Sequence, residues 1–498
     1  MTKKLCWVLV FLFVLAACGT SSNAPIDTPP IQPADVIEEP IPIAATILED
    51  ITEEEIDLIE IPPHDDYIVS LDIDPLNRTV YGISRITYTN RSSKPRDTIV
   101  LGVYLNTFAP SHTPRPYPEE FAGRVYRSDL PPGFFNVEYA SINNETLEFD
   151  ITGSNLTLFL PEPIEPNVTV QLLLQYSAYV PPLAHLLGGN DYAMWFGSFL
   201  PILGPVDYFP VGLPFSPQAA NYDVSITTPI THSVIGTGHR TEEIIEDANM
   251  RITRFTANMV RDFTFAVLSP EFERANITAD SGIEISLYYL SENIANRADE
   301  ILDFSNQVAT HFGNAVGRYP FGQITILESE ILTRAAPFSG IIFANSSFLG
   351  RGDFTPLANS IGSQWTGNVI GANRAAYPWL DIGLAHFIQT ELFFETAEMR
   401  AEHIFNEVAF LQTRLDLSLS HSAAEIVNLE LFIATHTRFA AAMFNALQER
   451  LGIEIFEELL HLYFQEFSFR TATKDDFFAL AEELHGRNLA DFILEWFD

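Results

Sequence analysis

Cysteine and basic side chains are both scarce in this chain. Two cysteines in 498 residues cannot build a disulfide-stapled scaffold. Lysine and arginine together number 27 against 65 aspartates and glutamates, which gives a formal net charge of -38. Because a phosphate backbone is bound by lysine and arginine, nucleic acid is excluded as a main partner. Apolar residues are plentiful, at 47% with 12% aromatic, so the chain is no disordered acidic tail and has the length for two or three domains.

Long apolar runs are absent except at the N-terminus, where residues 1–17 are typical of a secretory signal. Lys3 and Lys4 form its basic start, and the apolar run that follows is too short, at about 13 residues, to span a bilayer comfortably. The run ends in Ala17-Cys18-Gly19, which resembles the bacterial lipobox. That resemblance implies that Cys18 carries lipid and anchors an extracytoplasmic protein to the membrane of a bacterial cell envelope. An ordinary signal with Cys18 incidental is the alternative.

Removal of this signal would lower both the number of cysteines and the number of basic residues. Cys6 leaves with it, so no intramolecular disulfide is possible, and removal of Lys3 and Lys4 takes the formal charge from -38 to -40. Residues 18–63 are rich in proline, serine, aspartate and glutamate, and no helical or strand period survives the prolines. This composition predicts an extended, self-repelling tether.

The rest of the chain has two textures. Residues 64–270 hold many short segments of alternating apolar and polar residues, of which Tyr67–Asp74 is the clearest, and they predict an antiparallel β-sandwich. In residues 271–498 the period shifts to that of helices, beginning with Ala298–Ala315. The predicted fold class is therefore α+β and multidomain. Further helices are expected near residues 356–370, 380–394, 400–418, 422–450, 453–467, 474–485 and 488–497.

Two segments of the helical part resemble the zinc-site segments of the gluzincin aminopeptidases, the family of membrane alanyl aminopeptidase and leukotriene hydrolase. The family pattern is His-Glu-x-x-His, often followed by Gln-Trp-x-Gly-Asn, then Trp-Leu-x-Glu-Gly and an apolar residue before Ala. The matching residues are Gln364-Trp365, Gly367-Asn368, Trp379-Leu380 and Gly383-Leu384-Ala385, with the spacing kept. Weaker matches, such as Tyr319-Pro320-Phe321, extend the resemblance over nearly the whole mature chain. The resemblance implies an N-terminal β-sandwich saddle domain followed by a thermolysin-like, mostly helical peptidase-type domain.

The same resemblance shows which site residues have been replaced. Asn359 and Ser363 stand where the family has its two zinc-binding histidines, Ile382 where it has the ligand glutamate, and Ser360 where it has the general base. Pro337 stands where a glutamate binds the substrate amino group, and Thr437 where a tyrosine stabilises the transition state. Neutral amide and hydroxyl oxygens are poor zinc ligands, and isoleucine offers none. We therefore expect no catalytic residues, no metal site and no cofactor.

The leading hypothesis is a pseudopeptidase: a surface lipoprotein that keeps the aminopeptidase fold to bind peptide or another envelope protein in the interdomain cleft. The alternative is a hydrolase that acts through an unrecognised site, for which His386, His436 and Ser360 are the candidates. A metal site rebuilt from His386, Glu391 and His436 is conceivable, although single surface or core histidines are the simpler interpretation. A purely structural lipoprotein is a third hypothesis. The tripeptide Arg351-Gly352-Asp353 is interpreted as a turn.

Overall fold

The structure is a computed structural model, which describes residues 59–109, 122–125, 129–205, 217–246, 249–426 and 428–497. The predicted signal, Cys18 and residues 18–58 of the predicted tether lie outside the described residues. The described residues all belong to one compact unit of the chain, Ile51–Asp498.

The first half of the described chain is built from strands. Their alternating sequence becomes alternating burial: in the first strand Tyr67, Val69, Leu71 and Ile73 point into the core while the residues between them are partly or fully exposed. The strands are β1 Asp66–Asp74, β2 Thr79–Thr89, β3 Arg96–Gly102, β4 Phe134–Ile142, β5 Glu145–Thr146, β6 Glu148–Thr152, β7 Asn155–Ile164, β8 Thr169–Tyr179, β9 Leu187–Gly189, β10 Ala193–Phe196, β11 Ile202–Leu203, β12 Ala220–Pro229, β13 Ser233–Gly236, β14 His239–Ile245, β15 Met250–Val260 and β16 Phe265–Leu268.

Three sheets arise from these strands. The largest has eight strands in the order β14-β15-β12-β1-β2-β8-β4-β5, and two sheets of four strands have the orders β13-β16-β10-β9 and β11-β3-β7-β6. Neighbouring strands are antiparallel, as the alternation predicts, with one exception among the described pairs. β1 and β12 run parallel, with Tyr67 opposite Tyr222, and the rings of these two residues stack at 4.7 Å.

A sheet of five strands opens the second half. Its strands are β17 Glu273–Thr278, β18 Glu284–Tyr289, β19 Gln323–Ser329, β20 Ala335–Phe338 and β21 Ile341–Asn345. The order is β17-β18-β19-β21-β20, with parallel pairing of β18, β19 and β21, so β20 lies at one edge. The predicted boundary between residues 270 and 271 falls between β16 and β17, which belong to different sheets.

The remainder is mostly helical. The α-helices are α1 Ala122–Val125, α2 Glu292–Ala295, α3 Ala298–Ala315, α4 Ser346–Arg351, α5 Thr355–Ser363, α6 Ile382–Thr390, α7 Ala397–Gln412, α8 Leu429–Ile433, α9 Ala440–Leu451, α10 Ile453–Phe467, α11 Lys474–His485 and α12 Ala490–Phe497. Two π-helical segments, Gln364–Val369 and Ala434–Phe439, continue α5 and join α8 to α9. A short parallel pair, β22 Gly371–Ala372 with β23 Thr471–Ala472, ties the end of the first π segment to the chain that precedes α11. No helix in the described part of the chain is long and apolar enough to cross a membrane.

Candidate functional site

Helix α5 carries three of the replaced positions. It begins with a proline in its first turn, where the missing N–H costs nothing, and it buries an apolar face that includes Leu357 and Ile361. Ser360 and Ser363 are also buried, and the Ser363 hydroxyl makes no hydrogen bond with any described residue. Asn359 is half-buried. The helix therefore presents an amide at its partly open surface and two hydroxyls to the interior.

Helix α6 brings the fourth position alongside. Asn359 donates a hydrogen bond from Nδ2 to the carbonyl oxygen of Ile382, at 3.2 Å. The two segments that the resemblance assigns to zinc binding therefore do meet in space, with Asn359 and Ile382 in direct contact. This amide-to-backbone hydrogen bond joins the first turns of α6 to α5.

A buried ion pair fixes the approach to α6. Asp381 is fully buried; its Oδ2 accepts from Arg374 Nε at 2.6 Å, and its Oδ1 accepts from the Thr366 hydroxyl at 3.2 Å. A Cβ on Gly367 would lie 2.3 Å from this carboxylate. Glycine is thus required at position 367 because the first π segment passes directly over Asp381.

Gln364 connects α5 to the edge of the five-stranded sheet. Its Oε1 accepts from the Tyr319 hydroxyl at 3.1 Å and from the Gly340 N–H at 2.9 Å, while its Nε2 donates to the Phe338 carbonyl at 3.1 Å. A fully buried amide with these three bonds holds the β20–β21 hairpin against α5. Pro337 is half-buried in β20, the strand at one edge of the sheet, which pairs with no described strand other than β21.

The second π segment supplies the last replaced position. Thr437 is half-buried, and its hydroxyl donates to the carbonyl of Ile433 within the same helix. α6 packs very closely against this segment, since a Cβ on Gly383 would lie 2.6 Å from the Ala440 Cβ and 2.6 Å from the His436 carbonyl oxygen. The replaced positions on α5, α6, β20 and the second π segment therefore lie on elements that pack together.

The two histidines nearest to these positions are uncharged at neutral pH. Burial lowers the pKa of His436 to about 3, and both of its ring nitrogens lack a hydrogen-bond partner among the described residues. Burial and, secondarily, the nearby Arg438 lower the pKa of His386 to about 4, and the His386 Nδ1 lies 2.8 Å from the amide nitrogen of Gln389. Neither imidazole brings a positive charge to this part of the molecule.

The residues present do not fit a zinc ion. The positions that face each other offer an amide, two hydroxyls and an aliphatic side chain, none of which binds zinc well without a carboxylate, imidazole or thiolate beside it. Among the described residues no three of the histidines, cysteines, aspartates and glutamates lie close enough together to hold a metal. Glu391, considered above with His386 and His436, instead pairs with Arg400 and lies 3.5 Å from His311. That alternative metal site is not assembled.

A cavity of about 510 Å³ lies away from the replaced positions. Its walls include Ile59, Tyr319, Trp365 and His461, and none of the replaced residues lines it. Trp365 donates from its indole nitrogen to the carbonyl of Gly317, another residue of the cavity wall, at 2.7 Å. The cavity is not the candidate site.

Arg261 is a structural residue that the sequence did not indicate. Its guanidinium is buried and donates to the backbone carbonyls of Pro217, Asn368, Val369 and Arg470 at 2.6–3.1 Å. Gly371 passes so close that a Cβ there would lie 2.3 Å from the guanidinium carbon. One side chain from the strand-rich half thus holds the end of the first π segment and the chain before α11. Apart from Pro217, its partners lie more than 100 residues away along the chain, so no local sequence pattern predicts these contacts.

Part of this chain is similar in sequence to known proteins. Residues 357–496 match the model of the peptidase family M1 domain. Aminopeptidase M1-A of Oryza sativa subsp. japonica is 28% identical over 149 residues, which are 28% of this chain and 17% of that relative. This chain therefore matches under a fifth of the relative's length.

Solved structures match over a longer stretch. The M1 zinc metallopeptidase from Deinococcus radiodurans superposes with a TM-score of 0.64 and 16% identity, over 87% of this chain and 93% of that one. A mutant of that enzyme bound to a Tyr-Ser-Ala substrate gives a TM-score of 0.63 over the same shares, also at 16% identity. These likenesses confirm the predicted α+β architecture of a β-rich N-terminal part and a mostly helical peptidase-type part. The matched segment and the fold together confirm the predicted resemblance of this chain to the gluzincin aminopeptidases, peptidase family M1.

Proposed function

We propose that this protein is a catalytically inactive member of the gluzincin aminopeptidase family. In this proposal it is a lipid-anchored envelope protein that binds peptide or protein where the active aminopeptidases bind substrate. The observation that carries the proposal is the contact between Asn359 and Ile382, in which an amide-to-carbonyl hydrogen bond of 3.2 Å stands where two metal ligands would face each other. Without a metal to activate water, and with Ser360 in the place of the general base, the site lacks the means of peptide hydrolysis.

The replacements are chemically consistent with one another. Loss of a single ligand would leave buried carboxylates or imidazoles without their charge partner, at a cost of roughly 3–5 kcal/mol. Here the replaced positions carry no charge at all, and the buried charge that remains nearby, Asp381, is paired with Arg374. The site has therefore been rebuilt as a neutral one.

The geometry favours retention of a binding face. Pro337, Asn359, Ile382 and Thr437 are each half-buried, so these positions remain partly accessible to solvent. Large refilling side chains are absent from them. A fold neighbour from Deinococcus radiodurans holds a Tyr-Ser-Ala substrate in its mutant form, which motivates peptide as the first ligand class to test here.

Metal content and hydrolysis test the loss of catalysis. The full chain, purified in detergent, is expected to contain far less than one zinc per chain by elemental analysis and to leave aminoacyl reporter amides intact, with or without added zinc. The matched control is the variant Asn359→His, Ser360→Glu, Ser363→His, Ile382→Glu, which restores the ligand set and is expected to take up zinc. Stoichiometric zinc in the unaltered chain, or hydrolysis that a chelator abolishes, would refute the proposal.

Peptide binding separates this function from a purely structural role. Labelled peptides of mixed sequence are expected to bind the unaltered chain in fluorescence anisotropy and to remain uncleaved afterwards by mass spectrometry. The absence of binding across such a set would favour a structural lipoprotein. Anchoring is tested independently: the Cys18→Ser variant is expected to lose incorporation of labelled fatty acid and to leave the membrane fraction.

A further inference from the structure

Two exposed arginines share one aromatic ring beside the sheet edge. The guanidinium carbon of Arg334 lies 5.3 Å from the centre of the Phe348 ring, and that of Arg351 lies 4.7 Å from the same centre. Their separation can be no larger than these two distances together. Phe348 is half-buried in α4, and both arginines are exposed.

The backbone around this group is well fixed. The carbonyl of Arg334 accepts from the N–H of Asn345 at 2.9 Å, and the Asn345 side chain caps α4 by accepting from the N–H of Ser347, also at 2.9 Å. At the other end of α4, Gly352 adopts a left-handed conformation with φ 78° and ends the helix directly after Arg351. The two arginines are therefore presented by rigid elements and not by a long loop.

Neither arginine has a charged partner in the described part of the chain. The side chains of Arg334 and Arg351 form no ion pair and no hydrogen bond with any described residue, although Glu330 precedes Arg334 and Asp353 follows Arg351 within one helical turn of sequence. Arg297, which packs against Gly352, is by contrast paired with Glu300 at 2.6 Å. In a chain with 65 acidic and 27 basic residues, two unpaired arginines on one ring are unexpected. An anion bound close to both guanidinium groups would relieve their mutual repulsion.

The chemistry of the pair selects a carboxylate. A guanidinium that stacks on an aromatic face keeps the edge of its planar fork free, and that edge matches a carboxylate with two parallel hydrogen bonds. We infer that Arg334, Phe348 and Arg351 form a binding site for a carboxylate of a peptide ligand that lies along β20. This inference rests on the proposed peptide-binding function and adds its specificity.

The position of the pair on the sheet supports a peptide. Arg334 precedes Pro337 by three residues, which is about 10 Å along a strand. Because the Arg334 carbonyl points to β21, the antiparallel pattern turns the backbone of Ala335 and Pro337 outward. Proline has no N–H to offer, so an added peptide strand would find few backbone donors on this edge. A charged side-chain contact at one end of β20 would compensate for the missing backbone donors of this edge.

Fluorescence anisotropy with matched peptides tests the site on the full chain in detergent. The first probe is a labelled, C-terminally amidated octapeptide of alanine and serine with two adjacent glutamates. The second has glutamine in their place, and the third is the glutamine peptide with a free C-terminal carboxylate. The glutamate peptide is expected to bind at least ~10-fold more tightly than the amidated glutamine peptide at low salt, with the preference falling as salt rises.

Variants assign that preference to the arginines. Arg334→Gln and Arg351→Gln are each expected to reduce it about threefold, and the double variant to remove it. Arg487→Gln is the control; it removes a single exposed arginine between α11 and α12 and should leave the preference for the glutamate peptide unchanged. A preference of the free carboxylate over the amide that the double variant also removes would identify a peptide C-terminus as the source. Equal binding of all three probes, unchanged in the double variant, overturns this site but leaves the proposed function standing; no binding of any probe overturns both.

Discussion

We expect the buried imidazole of His436 to make the stability of this protein sensitive to mild acid. It is fully buried, packs edge-on to Phe432 at 4.9 Å, and has no hydrogen-bond partner for either ring nitrogen among the described residues. Burial lowers its pKa in the folded state to about 3, from 6.5 in an unfolded chain. On acidification the unfolded state therefore takes up a proton before the folded state does. The stability that the folded state has from its neutral His436 is fully present above pH 6.5 and is lost as the pH falls towards 3.

The expected size follows from the shift. At about pH 5 the unfolded state gains roughly 2 kcal/mol from protonation of this one group relative to neutral pH. His386, whose pKa is lowered to about 4, adds a loss of the same sign. The buried carboxyl of Asp262 has the opposite effect, because burial raises its pKa and so favours the folded state in acid. Only a comparison of variants isolates the histidine.

Chemical denaturation at neutral pH and at about pH 5 is the assay. The unaltered chain is expected to lose about 2 kcal/mol more free energy of unfolding between the two conditions than the variant His436→Leu, which replaces the imidazole by an apolar side chain of similar size. His239→Gln, which removes an exposed histidine of β14, is the control and should behave like the unaltered chain. Equal pH dependence in the His436→Leu variant and the unaltered chain would show that the reasoning is wrong.

Two further substitutions test the close contacts around the site. Arg261→Met leaves four backbone carbonyls without the guanidinium that now donates to them, and is expected to lower the free energy of unfolding in urea by about 3–5 kcal/mol. The reason is that a buried acceptor without a partner costs about 1–3 kcal/mol and that water replaces part of the lost bonds. Arg487→Met is the control and should change the free energy of unfolding little. Gly383→Ala drives a methyl group to 2.6 Å from the Ala440 Cβ and is expected to destabilise by about 1–3 kcal/mol. Gly313→Ala, where nothing lies within 4 Å of the added methyl, should instead be neutral or stabilise by up to ~1 kcal/mol; a similar loss in both glycine variants would contradict the packing argument.

Local signals were enough to predict the helices whose ends are set by their own residues. The predicted segments 453–467 and 474–485 coincide with α10 and α11. The start of α11 is marked by a capping box between Thr473 and Asp476, and its end by Gly486 in the left-handed conformation. Ala298–Ala315 was likewise predicted at its observed bounds, because its buried residues follow the helical period.

Where packing decides, the sequence was less informative. The helix predicted for residues 422–450 begins only at Leu429, because a capping box of Ser422 and Glu425 supports a single 3-10 turn and Asn428 then caps a new helix. The π segments were not foreseen, since the helical period assumes an α-helix throughout. In the first of them Gln364 is held by Tyr319, Phe338 and Gly340, which are distant along the chain.

The candidate site shows the same division. The meeting of Asn359 with Ile382 was predictable, because the resemblance fixed two segments and their spacing. The stacked arginines on Phe348 were not, because Arg334 and Arg351 come together only through the β20–β21 hairpin and α4. The predicted lipid anchor at Cys18 and the absence of zinc stay predictions.

The hydrogen bond between Asn359 and Ile382 has a consequence for how this protein depends on its surroundings. In a metalloprotein, ligand side chains from separate helices are joined by an ion, so folding and metal supply are thermodynamically linked. Here α5 and α6 are joined by a bond that the chain makes entirely from its own atoms. Together with the proposed absence of zinc, this bond leads us to expect that the folded state of this region does not depend on the metal content of the medium.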